Sequence, residues 1–209
     1  MFEIILKDAG KRYNSEWIFK NLNATFQSGN STVLLGSNGS GKSTALRTIF
    51  GYAPLSKGEI VYRRGGKIVK QPEAYKFFSI CAPYLDLYEE LTLDELARFH
   101  FSLKPALPEI DASGFSELID LKRAAGKPVK YFSSGMKQRV RIGLALLSDV
   151  QAIFLDEPTS NLDSNAIDWY RNMVTEYKRD RIMLVASNKK EEEYFFCNEK
   201  IEIEKFKPV

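Results

Sequence analysis

Thr32 to Phe50 reads "TVLLGSNGSGKSTALRTIF": an apolar run, a loop of glycines and serines, then helix-forming residues from about Lys42 to Phe50. Within it, "GSNGSGKST", Gly36 to Thr44, fits the spacing glycine, four residues, Gly-Lys-Ser. Each part has a physical task. Backbone N–H groups of Gly36, Ser37, Asn38, Gly39, Ser40 and Gly41 can turn inward around phosphates. The helix starting near Lys42 adds its positive end, and Lys42 itself adds a full charge. The Ser43 hydroxyl can ligate Mg²⁺, with Thr44 completing the first turn. Strand, glycine loop and helix in that order point to a nucleotide triphosphate.

A second stretch supplies what that loop lacks. "AIFLDEP" places Asp156 and Glu157 after four apolar residues, at the end of a strand that reads as buried on both faces. Ligands of open parallel sheets bind at that end. Asp156 is the candidate to hold Mg²⁺ through water. Glu157, one residue on, is the candidate to polarise the water that attacks the γ-phosphorus.

Around these motifs the chain alternates. "FEIILKD", "LNATFQ" and "EIVYRRGGKIV" read as an N-terminal antiparallel β layer, with Gly65 and Gly66 turning the hairpin. "LTLDELARFHFSL" opens on a capping box, Thr92 with Glu95, and spaces Leu93, Leu96, Ala97 and Phe101 along one face. A further helix is expected over "SGFSELIDL", set off by Pro105 and Pro108. After "AIFLDEP" come a helix capped by Asp163, a buried strand "RIMLVASN", a short polar helix and an edge strand "KIEIEKF". The expected fold is α/β: a mixed or parallel sheet flanked by helices, an N-terminal antiparallel β subdomain and a small inserted helical subdomain. As one domain of 209 residues, it divides into a sheet-bearing core over 1–84 and 148–209 and a helical part over 85–147.

Composition narrows the function. Thirty basic and 27 acidic residues are interspersed, a net charge of +3, so no nucleic-acid partner is expected; the polar "KRYNSEWIFK" reads as a solvated face. No apolar run reaches the ~18 residues of a membrane span, and Lys7 and Asp8 arrive too early for a signal peptide. The two cysteines, Cys81 and Cys197, read as reduced thiols of a cytoplasmic protein.

A third stretch, "YFSSGMKQRV" from Tyr131 to Val140, starts another helix with serines and glycine, a second anion-binding element about a hundred residues after the first. With it, the set resembles the ATP-binding cassette (ABC) ATPase family, whose core belongs to the P-loop NTPases, across essentially the whole chain. "FSSGM" stands where the family carries Leu-Ser-Gly-Gly-Gln, so Ser133, Ser134 and Gly135 take the signature positions. "SNLD" resembles the family's D-loop and ends on Asp163, and Tyr13 stands where the family places an aromatic against adenine. The resemblance implies two subunits meeting head to tail, each ATP held between one subunit's phosphate loop and the other's signature. It implies ATP and Mg²⁺ as ligands, a second ABC ATPase subunit, identical or not, and an integral membrane permease as partners. The chain would then sit on the inner face of the cell membrane through that permease, in the manner of compact exporter subunits.

Two positions depart from the family pattern. Tyr84 stands where a strand-ending glutamine normally touches Mg²⁺, and its phenol is a poorer metal ligand than an amide oxygen. Asn188 stands at the position of the switch histidine, where it can donate one neutral hydrogen bond; the sole histidine, His100, lies in the helical part and reads as a surface or packing residue. The expectation is a transport ATPase with slow hydrolysis. Two alternatives stand beside it: a non-transport relative that assembles a cofactor, and a nucleotide-gating subunit paired with a more active partner. Leu85, Leu87, Tyr88, Phe99 and Phe101, with Tyr84, are expected to line an apolar groove for a permease segment or to pack inside.

Overall fold

The computed structural model describes residues 1–207. Two sheets carry the fold. The first is antiparallel in the order β2-β1-β4-β5, built from β1 (Phe2–Tyr13), β2 (Glu16–Gln27), β4 (Lys57–Arg64) and β5 (Lys67–Val69). The second is parallel in the order β6-β7-β8-β3-β9, built from β6 (Phe78–Cys81), β7 (Ala152–Asp156), β8 (Ile182–Ser187), β3 (Ser31–Leu35) and β9 (Glu199–Glu202).

Period-two alternation assigns the apolar residues of β3, β7 and β8 to one of two cores. Ala152 and Phe154 on β7 join Leu34, Ile182 and Leu184 in a core shared with the first sheet and with α1 (Lys42–Phe50), whose Ala45, Leu46 and Ile49 are buried. Ile153 and Leu155 point the other way, with Val33, Met183 and Val185, into a core closed by α5 (Ser134–Leu147) and α6 (Ser164–Tyr177). This two-sided burial explains why β7 reads as an unbroken apolar run. Phe78, Phe154, Phe50 and Tyr62 meet edge to face or tilted in the first core, at 5.2 to 5.8 Å between ring centres.

The remaining elements are α2 (Gln71–Ala74), α3 (Leu93–Leu103), α4 (Phe115–Leu118) and α7 (Glu191–Tyr194). Both bonds of the capping box at Thr92 and Glu95 form. The second expected helix shrinks to the single turn of α4, preceded by a 3₁₀ turn at Ala112–Gly114. "KIEIEKF" is an edge strand only as far as Glu202; Ile203–Phe206 forms a 3₁₀ turn instead. Its Ile203 is buried in the first core. The polar "KRYNSEWIFK" is the tip of a long β1–β2 hairpin, with Tyr13 opposite Glu16 across Asn14 and Ser15. Asn14 takes the left-handed backbone, φ 53°, that such a two-residue turn requires. Bulges between Leu6 and Arg12 interrupt the alternation, which hides the full length of β1 from a periodicity reading. His100 is half-buried on α3, its Nε2 3.0 Å from Ser148 Oγ, in keeping with a packing role. Cys81 and Cys197 are free thiols. Among the described residues no helix is long and apolar enough to cross a membrane.

Candidate nucleotide site

The loop between β3 and α1 lies at the carboxyl end of the parallel sheet. Gly41 adopts φ 103°, and a Cβ there would come within 2.4 Å of Ile18 Cγ2 on β2, so the loop needs glycine both for its turn and for its approach to the first sheet. At Gly36 a Cβ would meet Ser40 Oγ at 2.3 Å, so this hydroxyl lies close over the bare backbone. Lys42 is 4% exposed and its ammonium donates to the Ser37 carbonyl at 2.9 Å, folding the lysine back over the loop. Ser40 Oγ is buried without a hydrogen-bond partner, an uncommon cost that a phosphate oxygen would relieve.

Asp156 closes β7 beside this loop, 1% exposed, and its Oδ1 accepts a 2.9 Å hydrogen bond from Ser43 Oγ. Burial pushes its carboxyl up to about 6; Ser43, Arg47 and Lys42 act against that, and Glu157 adds to it. The pair thus offers two oxygen donors at the edge of the cleft, which suits a small hard cation. Among the described residues no group of three or more His, Cys, Asp or Glu could cage a metal. Mg²⁺ commonly takes just one or two protein oxygens and completes its shell with phosphate and water, so Ser43 and Asp156 fit it.

Glu157 follows with φ 45°, a left-handed backbone unusual for a glutamate, held by its N–H donating to the Ala186 carbonyl at 2.9 Å. Its side chain joins Ile18, Asn38, Gly39, Gly41, Lys42, Ser43 and Thr44 around one cleft of about 360 Å³. Tyr13 does not line this cleft. It is half-exposed at the hairpin end, its ring 4.8 Å from the Lys11 ammonium. Its cross-strand partner Glu16 belongs to β2, the strand that carries Ile18 to the loop.

The second anion-binding stretch lies in a separate cleft of about 240 Å³ that shares no lining residue with the first. Ser133, Gly135, Arg139, Asn161 and Asp163 line it. Ser133 Oγ accepts the Met136 N–H at 3.2 Å and caps α5, and Asp163 Oδ1 accepts the Ala166 N–H at 2.8 Å and caps α6. A Cβ at Gly135 would stand 2.9 Å from the Asn161 carbonyl, so glycine permits the two loops to meet. Ser134 is exposed and lies outside the lining.

Neither substituted position reaches the first cleft. Asn188 is exposed beyond the end of β8. Tyr84 is 37% exposed, and its ring carries the Arg47 guanidinium 3.6 Å from its centre. Burial raises its phenol above the ordinary value, with Arg47 acting against the shift, so Tyr84 is a neutral phenol at physiological pH. Of the aromatic group beside it, Leu87, Tyr88 and Phe99 line an open groove, with Tyr88 and Phe99 edge to face at 5.1 Å. Phe101 packs inward on Phe115, and Leu85 lines a neighbouring cavity with His100, Lys104 and Arg141.

Several contacts of the site carry no local sequence signal. Glu204 Oε1 accepts from Ser37 N at 2.9 Å and Ser37 Oγ at 2.5 Å, which ties the last 3₁₀ turn to the phosphate loop. Glu193 is fully buried, takes a 2.9 Å hydrogen bond from Thr159 Oγ1 just after Glu157, and leaves Oε2 without a partner. Burial raises its carboxyl above the usual range.

The chain is similar along most of its length to proteins already described. The lantibiotic transport ATP-binding protein SrtF of Streptococcus pyogenes is 27% identical over 193 residues, spanning 88% of this chain and 78% of that one. The uncharacterized ABC transporter ATP-binding protein YhcH of Bacillus subtilis is 31% identical over 194 residues, 86% of this chain and 59% of that one. A solved ATP-binding subunit of an ABC transporter superposes with a TM-score of 0.80 at 24% identity, covering 96% of this chain and 86% of that one, which speaks for the fold alone. A profile of the ABC transporter family matches residues 19–160, from the hairpin beside the phosphate loop to the start of the D-loop. The chain belongs to the ABC transporter family, as an ATP-binding subunit of its ATPases.

Proposed function

We propose that this chain is the ATP-hydrolysing subunit of a transporter and works as half of a dimer. The observation that carries this reading is a pair of clefts, each at the start of a helix, with no lining residue in common. One holds Lys42, Ser43, Thr44 and Glu157, with Asp156 beside it; the other holds Ser133, Gly135 and Asp163. Each is half of a site. A second copy or an unlike ABC ATPase, turned head to tail, brings the Ser133 cleft over the phosphates bound by the first.

In this reading the inward N–H groups of Gly36, Ser37, Asn38, Gly39, Ser40, Gly41 and Thr44, with the Lys42 ammonium, hold the β- and γ-phosphates of ATP. Lys42 exchanges its bond to Ser37 for phosphate oxygen. Mg²⁺, held by Ser43 and Asp156 with the phosphates, supplies charge neutralisation when bound. Glu157 orients water for in-line attack and takes up its proton. Tyr13, at the tip of the hairpin whose β2 strand meets the loop, stacks on the base. The partner's Ser133, Ser134 and Gly135 donate to the γ-phosphate, and Asn188 contributes one neutral hydrogen bond after the strand moves toward the cleft. Hydrolysis is slow, because Tyr84 is engaged by Arg47 and a short amide replaces a preorganised donor, a loss on the order of 10² in rate. The same two features support a gating subunit beside a faster partner as the second reading.

The permease is a separate polypeptide that places this chain at the inner face of the cell membrane. Its cytoplasmic segment seats in the groove of Leu87, Tyr88, Leu91 and Phe99, rimmed by the Glu89–Lys137 and Glu90–Lys130 ion pairs. The test of the whole reading is the mass in solution of the Glu157→Gln variant with Mg·ATP. A nucleotide-dependent dimer is expected, abolished by Ser133→Arg; a single chain at saturating Mg·ATP overturns the reading.

A further inference from the structure

The connection 82–91, between β6 and α3, is held at adjacent residues by arginines from two different helices. Arg47 of α1 lies over the Tyr84 ring, its guanidinium carbon 3.6 Å from the ring centre. Arg141 of α5 donates its Nε–H to the Leu85 carbonyl at 2.9 Å. Apart from these arginines, Leu85 N donates to the Ala82 carbonyl at 3.1 Å. Beyond the clasp the same connection supplies Leu87 and Tyr88 to the exposed groove.

Arg47 is placed to feel the nucleotide site. It follows Ser43 by one helical turn on α1, and Ser43 Oγ is bonded to Asp156. Its Nε is buried with no hydrogen-bond partner, so among the contacts of this side chain the ring of Tyr84 stands in place of an ion pair. A partly desolvated guanidinium on a tyrosine face is attracted by the ring quadrupole, which holds a short loop against a helix. Arg141 belongs to the helix that Ser133 caps, so the two arginines connect the loop to the helices that begin at the first and the second anion cleft.

We propose that Arg47 and Tyr84 form a positioning pair, through which a change at the phosphate end of α1 is transmitted to the groove-forming residues Leu87 and Tyr88. This inference rests on the nucleotide-binding reading above and deepens it. Tyr84 serves as a ring for a cation, and the loop is tied to α1 by a protein–protein contact that does not require the metal. Arg141 is the fixed point against which the loop moves.

Amide hydrogen exchange over residues 82–88 tests this, with Glu157→Gln as the parent protein, with and without Mg·ATP. In the parent, nucleotide slows exchange in the segment about fivefold or more. Adding Arg47→Ala cuts that protection to less than about twofold while the nucleotide dissociation constant stays within about threefold. Tyr84→Leu does the same, Tyr84→Phe retains the protection because the ring remains, and the double substitution Arg47→Ala/Tyr84→Leu is no worse than either alone. If Arg47→Ala destabilises the chain, Arg47→Lys and Tyr84→Leu carry the comparison. Full protection in Arg47→Ala, additive losses in the double variant, or a parent that binds nucleotide without protecting 82–88 each overturn the pair alone. A parent that binds no nucleotide overturns the pair together with the function it rests on.

Discussion

The centre and the flanks of the candidate site treat their functional positions differently. At the centre of the site, strands β3 and β7 lead into residues whose place is set by the main chain: Lys42 and Ser43 follow a loop with room only for glycine at Gly41, and Glu157 is held by a left-handed φ and a bond to Ala186. The flanking positions after β6 and β8 have no such restraint. Tyr84 is taken by Arg47, and Asn188 points to solvent. Where backbone geometry fixes the side chain, the chemistry expected of the residue type is deliverable; where side-chain contacts alone fix it, a substitution redirects the residue to another task.

The largest effect should come from the centre. Glu157→Gln keeps the shape and the hydrogen-bonding edge but cannot accept a proton, so single-turnover phosphate release should fall by on the order of 10³. Lys42→Ala should instead weaken ATP binding by at least about a hundredfold in calorimetry, because a buried ammonium leaves the loop. If both variants hydrolyse at the parent rate, the distinction between centre and flank fails at its stronger end.

Restoring the flank sharpens the same comparison. Asn188→His introduces a longer side chain at the end of β8, and the single-turnover rate should rise by about 10 to 10². Tyr84→Gln should raise it less, since it also frees Arg47. A wild-type rate already typical of fast ATPases, unchanged in Asn188→His, would show that the flanks do not limit the chemistry.

The strength of local signals explains what was legible in the sequence. The phosphate loop, β7 with its two carboxylates, α1 and α5 are specified by residues a few positions apart, and the structure has them as read. The β1–β2 hairpin was underread because its tip is polar and its bulges break alternation. The second clamp on Ser37 depends on Glu204, far off in sequence but brought close because β9 pairs with β3. The buried Glu193 sits in a run "EEEY" that reads as part of a short polar helix; only the packing of α7 on β8 and its bond to Thr159 distinguish it from Glu191 and Glu192. The stacking of Arg47 on Tyr84 has no signal in spacing at all.

A smaller effect concerns stability beneath the groove. Burial, aided by the Lys104 charge, lowers His100 to about 4 from the ordinary 6.5, so the folded protein holds it neutral. The unfolded chain binds the extra proton at the higher pH, hence this contribution is complete above about 6.5 and is lost as pH falls toward about 4. Half-burial limits it to about 2 kcal/mol. Denaturant unfolding at pH 7 and pH 4.5 should show His100→Gln losing less stability on acidification than the parent, and equal losses would place the imidazole in water.

The smallest effect separates a cap that is only structural from one that also serves the site. Thr92 and Ser133 both accept an N–H three residues on, at 3.3 Å from Glu95 and 3.2 Å from Met136. Thr92→Ala removes a capping box and should cost about 1 kcal/mol in denaturant unfolding, with turnover unchanged, because α3 begins away from both clefts. Ser133→Ala removes a comparable cap, so its stability cost should match. Turnover should nevertheless fall several-fold, and only at protein concentrations where dimers form, since in the proposed dimer the missing hydroxyl faces the partner's phosphates. Matched stability losses with turnover intact in both variants would reduce Ser133 to a helix cap and leave the second cleft without a chemical task.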